Sequence, residues 1–211
     1  EDVLKIYPAE ILRYQFASTK PNKEFVIPLD EEVIKIYEDF YKCERIYFGK
    51  EIVNEKSKAQ WSRVYEMSCV DKPLKIIPTQ PNFKHCVELV NIFAGDTKKA
   101  LARAISLDKI TKKADKERYA TVLACAKNWL TSHAPEQYKF KIGTSAKVNL
   151  NQTQREALAL LAKTLENKKL NEQQLFKEFY NIQKQASIDA RTFFKAVYNA
   201  LVNKDHGPRL A

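Results

Sequence analysis

Apolar residues recur at intervals of three and four along most of this chain, and that spacing restricts the folds it can adopt. Val33, Tyr37 and Phe40 follow it in one stretch, and Tyr119 and Val122 begin it in another. This period places apolar side chains on one face of an α-helix, where they can be buried against neighbouring helices. The four glycines all stand where helical patterns stop. The sequence therefore predicts a mainly α fold, built as a helical bundle.

The pattern also predicts where the helices lie. One helix begins at Pro8, which suits a first turn, and a second runs from an Asp30 N-cap to Gly49. Residues 50–81 are ambiguous, with Trp61–Met67 either a short helix or an extended segment. The remaining helices are predicted at 83–95, at 96–107, from Tyr119 to a point before Pro135, at 151–166, from after Asn171 to 186, and from Ser187 or Asp189 to 201. Leu165 and Leu201 are among the residues expected inside.

Residues 138–143 alternate apolar and cationic side chains, as a short strand or an extended linker does. A domain boundary is predicted at this segment. Three regions result: 1–80, 81–137 and 138–211.

Positive charge is concentrated in the last region. The net charge is +10, and residues 138–211 hold 13 Lys and Arg against 6 Asp and Glu, whereas residues 1–137 hold 23 against 20. Basic surface attracts polyanions, although a generally lysine-rich composition would give the same total. No apolar run approaches the roughly 18 residues that cross a bilayer, so no membrane partner is expected.

Motifs for independent catalysis are missing from the sequence. It has no phosphate-binding glycine loop, no nucleophile elbow and no HExxH pair, and its three histidines are far apart. Cys43, Cys69, Cys86 and Cys125 lack zinc-ligand spacing, so buried thiols are expected, with no metal and no catalytic residue. A helical, basic module remains, which fits either RNA binding or a solvated bundle.

Several short motifs occur in an order that resembles a known family. They are Pro8, Leu12 and Arg13 followed by Thr19, Pro21, Asn22 and Lys23; then Tyr41–Arg45, Arg63–Ser68, Phe83–His85, Asn128–Leu130, Ala134–Glu136 and Gly207–Leu210. In these residues the chain resembles the class I lysyl-tRNA synthetases beyond their KMSKS-type signature.

The resemblance implies a role for each region. It implies a stem-contact-like region at 1–80, a helical bundle at 81–137 and a cage-like α-helical anticodon-binding domain at 138–211. The parent enzyme would attach lysine to tRNA(Lys) with ATP in the cytoplasm. Neither the HIGH-type nor the KMSKS-type signature is present, so the chain is expected to be a C-terminal fragment that binds no cofactor and is inactive alone. A glutamyl-tRNA synthetase-like region, or a helical protein-interaction module without an RNA role, remains as an alternative.

The candidate tRNA-binding residues are cations in loops or off the apolar stripes of the last region. Arginine can fork onto a phosphate and stack on a base, which favours Arg209, Arg191 and Arg155. A helix cap, an ion pair or a solvated helix face would explain the same arginines. The further candidates are Lys168, Lys169, His206, Lys139 and Lys141; an exposed strand face would explain the last two.

Overall fold

The computed structural model describes residues 3–143 and 149–207, and its regular elements are all helical. The prediction of a mainly α fold is therefore confirmed. Within those ranges it has nine α-helices, with short 3₁₀ helices at Val3–Lys5 and Glu136–Tyr138. The α-helices are α1 (Ala9–Ser18), α2 (Glu32–Tyr47), α3 (Glu55–Ser68), α4 (Phe83–Ile92), α5 (Thr97–Leu107), α6 (Lys113–Ser132), α7 (Gln152–Asn167), α8 (Glu172–Gln185) and α9 (Ala190–Val202).

The chain divides into two compact units, Glu1–Lys139 and Phe140–Ala211. Unit 1 contains α1 to α6 around one apolar core, to which helices on both sides of residue 80 contribute. Unit 2 contains α7 to α9 around a smaller core of its own.

Aromatic side chains with anchored polar tips organise the core of unit 1. Trp129 is fully buried, and its indole N–H donates to the carbonyl of Leu29 at 2.8 Å. Tyr37 stacks on Phe83 with ring centroids 4.2 Å apart, and its hydroxyl donates to the carbonyl of Ile6 at 2.7 Å. Burial of such rings stabilises the fold most when the polar group of each ring keeps a hydrogen-bond partner. The Tyr37 bond ties the N-terminal segment to α2, and the Trp129 bond ties α6 to the segment that precedes α2.

Helix capping sets the limits of the unit 2 helices. Asn151 and Asn171 each form a capping box with the glutamine three residues on, at the starts of α7 and α8. Asp189 caps α9 by accepting the Thr192 N–H at 3.0 Å. These cap side chains accept hydrogen bonds from backbone N–H groups that have no partner within the first helical turn.

Some local expectations were wrong. Leu165, expected inside α7, is 51% exposed. Along its stripe the exposed fraction rises from 0% at Ala157 to 8% at Leu161, and the core of unit 2 no longer covers the last turn. Leu201 is likewise 43% exposed at the end of α9. The helix α2 begins at Glu32 with Glu31 at the N-cap position, one residue after the predicted cap Asp30. The Asp30 carboxylate still accepts the Glu32 N–H, at 3.0 Å.

The two ambiguous segments take defined forms. Trp61–Met67 lies inside the helix α3, which begins at its Asn54 cap. The segment at 138–143 forms no strand: it leaves a 3₁₀ turn at Tyr138 and continues without regular structure to Gly143. Gly143 instead donates its N–H to the carbonyl of Leu201 at 2.7 Å.

Candidate nucleic-acid interface

One face of α9 carries cationic and aromatic side chains beside a groove, here called the α9 groove. Arg191, Phe194, Lys195 and Tyr198 follow one another at intervals of three, one and three, which places them on the same side of a helix. Together with Asp205 and His206 they line a cavity of about 390 Å³. The structure thus brings together two of the predicted site residues, Arg191 and His206.

The second wall of the groove is the segment that follows α9. Asn203 adopts the left-handed conformation, with φ 54°, and this turns the chain back. Asp205 then pairs with the Lys195 ammonium at 2.9 Å and accepts from the Asn199 amide at 3.0 Å. Residues 203–207, here called the return segment, therefore lie along the helix that they follow.

Gly207 holds the far end of the return segment close to an aromatic ring. A β-carbon placed on Gly207 would lie 2.9 Å from Cδ1 of Tyr198, a separation shorter than real contacts allow. A larger residue would have to move the segment or the ring. The absence of a side chain at Gly207 thus permits the backbone to lie against Tyr198.

The electrostatics of the groove favour an anionic ligand with a flat apolar part. Arg191 is exposed and forms no ion pair within the described ranges. The side chain of Lys195 is about half exposed despite its pairing with Asp205. The Asn199 amide, and after it Lys195, lowers the pKa of the Asp205 carboxyl. Phe194 and Tyr198 offer partly exposed rings beside these cations.

The other candidates in unit 2 lie at different positions. Arg155 uses its Nε–H to donate to the carbonyl of Leu150 at 2.9 Å, so part of its guanidinium supports the start of α7. Lys168 follows α7 and pairs with Glu178 at 3.0 Å, and its neighbour Lys169 is exposed. These contacts neither establish nor remove an RNA role, which stays a prediction for all three residues.

The linker lysines do not line the groove. Lys139 is the last residue of unit 1 and pairs with Glu136 at 2.9 Å. Lys141 is exposed in unit 2, on the irregular segment that precedes Gly143. Arg209 lies outside the described residues.

Sequence reasoning singled out neither Asp205 nor Lys195. Their pairing depends on the reversal at Asn203, and asparagine is one of the few residues that adopt this conformation readily. An asparagine directly after an apolar helical stripe was the available signal, yet it does not reveal where the following residues lie.

Unit 1 contains a second cavity, of about 350 Å³, whose charge is opposite in sign. It is lined by the acids Glu10, Glu44, Asp71, Asp115 and Glu117 and by the cations Lys72 and Arg118. An excess of carboxylates repels phosphate, so this cavity does not suit a nucleic-acid backbone.

Burial suppresses the reactivity of thiols in unit 1. It raises the pKa of both Cys43 and Cys86 to about 12, and it raises the pKa of Cys125 as well. A thiol is a nucleophile or a metal ligand only when deprotonated, so these cysteines act as small apolar residues of the core. No group of three or more potential metal ligands occurs in the described part of the chain.

A helix both long and apolar enough to cross a bilayer does not occur among residues 3–143 and 149–207.

Comparison with known proteins shows what the chain is similar to. Residues 1–71 match the family model described as tRNA synthetases class I (K). The whole chain aligns with lysine–tRNA ligases: 37% identical over 217 residues for Borreliella burgdorferi, 36% over 217 for Treponema pallidum and 31% over 218 for Pyrococcus horikoshii. Each alignment covers 100% of this chain and 40 or 41% of the relative.

The chain is thus homologous to the class I tRNA synthetases. Within that class its relatives are lysine–tRNA ligases, so the resemblance found in the short motifs is confirmed along the full length. The chain spans about 40% of the length of these relatives.

Proposed function

We propose that the chain is the tRNA-binding part of a lysine–tRNA ligase and that unit 2 binds the anticodon. The observation that carries the proposal is the α9 groove, where exposed cations and aromatic rings meet in the region that holds most of the excess charge. RNA recognition favours unstacked bases held on aromatic side chains, with arginine and lysine on the phosphates. The similarity to lysine–tRNA ligases extends through this unit, which supports tRNA(Lys) as the anionic partner.

The complete ligase would attach lysine to tRNA(Lys) with ATP. This chain contains neither the HIGH-type nor the KMSKS-type signature, so ATP would be bound by another part of the ligase. Residues 1–80 and 81–137 are proposed to contact the tRNA outside the anticodon, as a stem-contact region and a supporting bundle. The acidic cavity of unit 1 is expected to lie away from the RNA backbone.

The salt dependence of tRNA binding tests the proposal. If unit 2 makes about 4 to 6 phosphate contacts, log Kobs should fall against log salt with a slope of roughly −3 to −4, at ~0.7 per contact. Fluorescence anisotropy with labelled tRNA(Lys) across a salt series measures this slope. Failure to bind tRNA at low salt, or an affinity that does not change with salt, would contradict the proposal and favour a protein-interaction module.

A further inference from the structure

The acidic cavity of unit 1 combines carboxylates with apolar walls. Its volume of about 350 Å³ falls within the ~300–1,000 Å³ of small-ligand sites. Phe40, Val70 and Leu74 belong to its apolar lining, and the last two side chains are 55% and 58% exposed. Apolar surface around a polar cavity suits an organic molecule, because a bare ion gains nothing from it.

The carboxylates of this cavity are only partly neutralised. Arg118 donates two hydrogen bonds to Glu44, each at 3.1 Å, so its charge is already paired. Lys72 then stands against four further carboxylates in the lining, those of Glu10, Asp71, Asp115 and Glu117. Glu10 and Asp71 form no ion pair with any residue that the structure describes. The remaining charge attracts a cation.

A buried hydroxyl in the wall of the cavity lacks a hydrogen-bond partner. Tyr41 lines the cavity and is 5% exposed, and its hydroxyl makes no hydrogen bond within the described residues. Arg118 lies over the face of the Tyr41 ring but directs its N–H groups to Glu44. Burial raises the pKa of the hydroxyl, so it stays neutral and can accept from an N–H donor. An unpaired buried hydroxyl is unfavourable, and a ligand that donates to it would remove that cost.

We propose that the acidic cavity of unit 1 binds a small alkylammonium ion. The alkyl chain lies against the apolar lining, and the ammonium group donates to the Glu10 carboxylate and to the Tyr41 hydroxyl. The ligand thus supplies the charge that the carboxylates lack and the partner that the tyrosine lacks. The inference concerns unit 1 alone, and it holds or fails independently of tRNA binding by unit 2.

Other classes of ligand match the cavity less well. A phosphate would meet an excess of carboxylates. A metal ion needs a cluster of ligating side chains, and none with three or more potential ligands occurs among residues 3–143 and 149–207. An uncharged apolar molecule would leave Glu10 and Asp71 without a counter-charge. Only an organic cation uses both the carboxylates and the apolar walls.

The test titrates the chain with 1,4-diaminobutane at constant ionic strength and follows the backbone amides by ¹H–¹⁵N NMR. For a ligand of this size we expect a roughly millimolar Kd, with saturable shifts concentrated at residues that line the cavity. The controls are 1,4-butanediol, which has a similar shape without charge, and Mg²⁺, which has the same charge without an alkyl chain. Neither should give saturable shifts there. No saturation by the diamine, or equal binding of Mg²⁺, would overturn the inference.

The variant Tyr41→Phe tests the role of the hydroxyl. Because the hydroxyl has no partner in the folded chain, its removal should not lower the Tm. The affinity for the diamine should nevertheless fall at least about ten-fold, as expected for the loss of one hydrogen bond to a charged group. An affinity equal to that of the wild type would contradict the inference.

A second variant decides the matter if Tyr41→Phe does not fold. Glu10→Gln keeps the size of an exposed side chain in the first turn of α1 and removes its charge, so affinity should fall roughly two- to five-fold. The matched control is Glu38→Gln, at an exposed carboxylate of α2 that does not line the cavity. It should leave the affinity unchanged. Equal losses for the two variants would show a general attraction to negative charge and would overturn the inference.

Discussion

At the scale of single residues, Glu44 is a buried charge of unit 1 that three other side chains hold by hydrogen bonds. Its carboxylate is 1% exposed and accepts from the Tyr65 hydroxyl at 3.0 Å, from the Gln80 amide at 2.8 Å and from the Arg118 guanidinium at 3.1 Å. Arg118 also lies over the Tyr41 ring, 5.3 Å from its centroid. A buried carboxylate is tolerated only when its oxygens are paired in this way. The network joins α2, α3, α6 and the segment before α4.

Removing the cation of this network should destabilise unit 1 strongly. We expect Arg118→Met to lower the free energy of unfolding by ~3–5 kcal/mol, because it leaves the Glu44 carboxylate buried without its charged partner. Urea unfolding followed by tryptophan fluorescence measures the loss, since both tryptophans, Trp61 and Trp129, lie in unit 1.

The control for this prediction is Lys113→Met, in the first turn of the same helix. Lys113 pairs with Glu117 at 3.8 Å, but its side chain is 91% exposed. Exposed pairs contribute at most about 1 kcal/mol, so this substitution should change little. Equal losses for the two substitutions would contradict the account of the Glu44 network.

At the scale of elements, strong apolar stripes made some helices predictable. The helix α2 follows its pattern closely, whereas α6 begins at Lys113, before the Tyr119 at which its apolar stripe starts. The helix α3 was ambiguous because its sequence is mostly polar and only Val64, Tyr65 and Ser68 are buried. Its Asn54 cap was a weak signal, and packing against α1 and α2 completes the helix. Tertiary packing overrides weak local preference in such cases.

The α9 groove was predictable in its residue types but not in its geometry. Arg191 and His206 were selected as candidates for tRNA binding, and no sequence period indicates that they line one cavity. That arrangement depends on the left-handed Asn203 and on the pairing of Asp205 with Lys195. Contacts made after a chain reversal do not produce a regular spacing of residues, so the sequence pattern does not predict them.

The Asp189 N-cap of α9 makes the stability of the folded chain depend on pH. The Thr192 hydroxyl and N–H lower the pKa of the Asp189 carboxyl below its ordinary 3.8, so the unfolded chain binds the proton more tightly than the folded chain. The contribution of the carboxylate is complete above pH 3.8 and is lost as pH falls through the lower, folded pKa. An asparagine in place of Asp189 would cap the helix without titrating.

The measurement compares thermal unfolding of the wild type and Asp189→Asn by circular dichroism. Between about pH 6 and about pH 3 the wild type should lose stability relative to the variant, because only the wild-type cap can take up a proton. A stability difference that is the same at both pH values would show that the cap does not titrate as described.

At the scale of the whole molecule, the two units differ in the surfaces that they offer. The cavity described in unit 1 is acidic, whereas unit 2 holds most of the excess positive charge and the α9 groove. The sequence predicted a boundary at residues 138–143, and the two units divide after Lys139. This division of charge supports the proposal that one unit reads the anticodon and the other contacts the rest of the tRNA.

The most direct test compares the full chain with a chain ending at Lys139, whose folding the two tryptophans report. Each protein is titrated with tRNA(Lys) and with the same tRNA carrying substituted anticodon bases. The full chain should bind the substituted tRNA more weakly, by ~1–3 kcal/mol per base if contacts to base edges resemble those in DNA. The shortened chain should bind both tRNAs weakly and equally. A shortened chain that still distinguishes the lysine anticodon would place the reader in unit 1 and contradict the account.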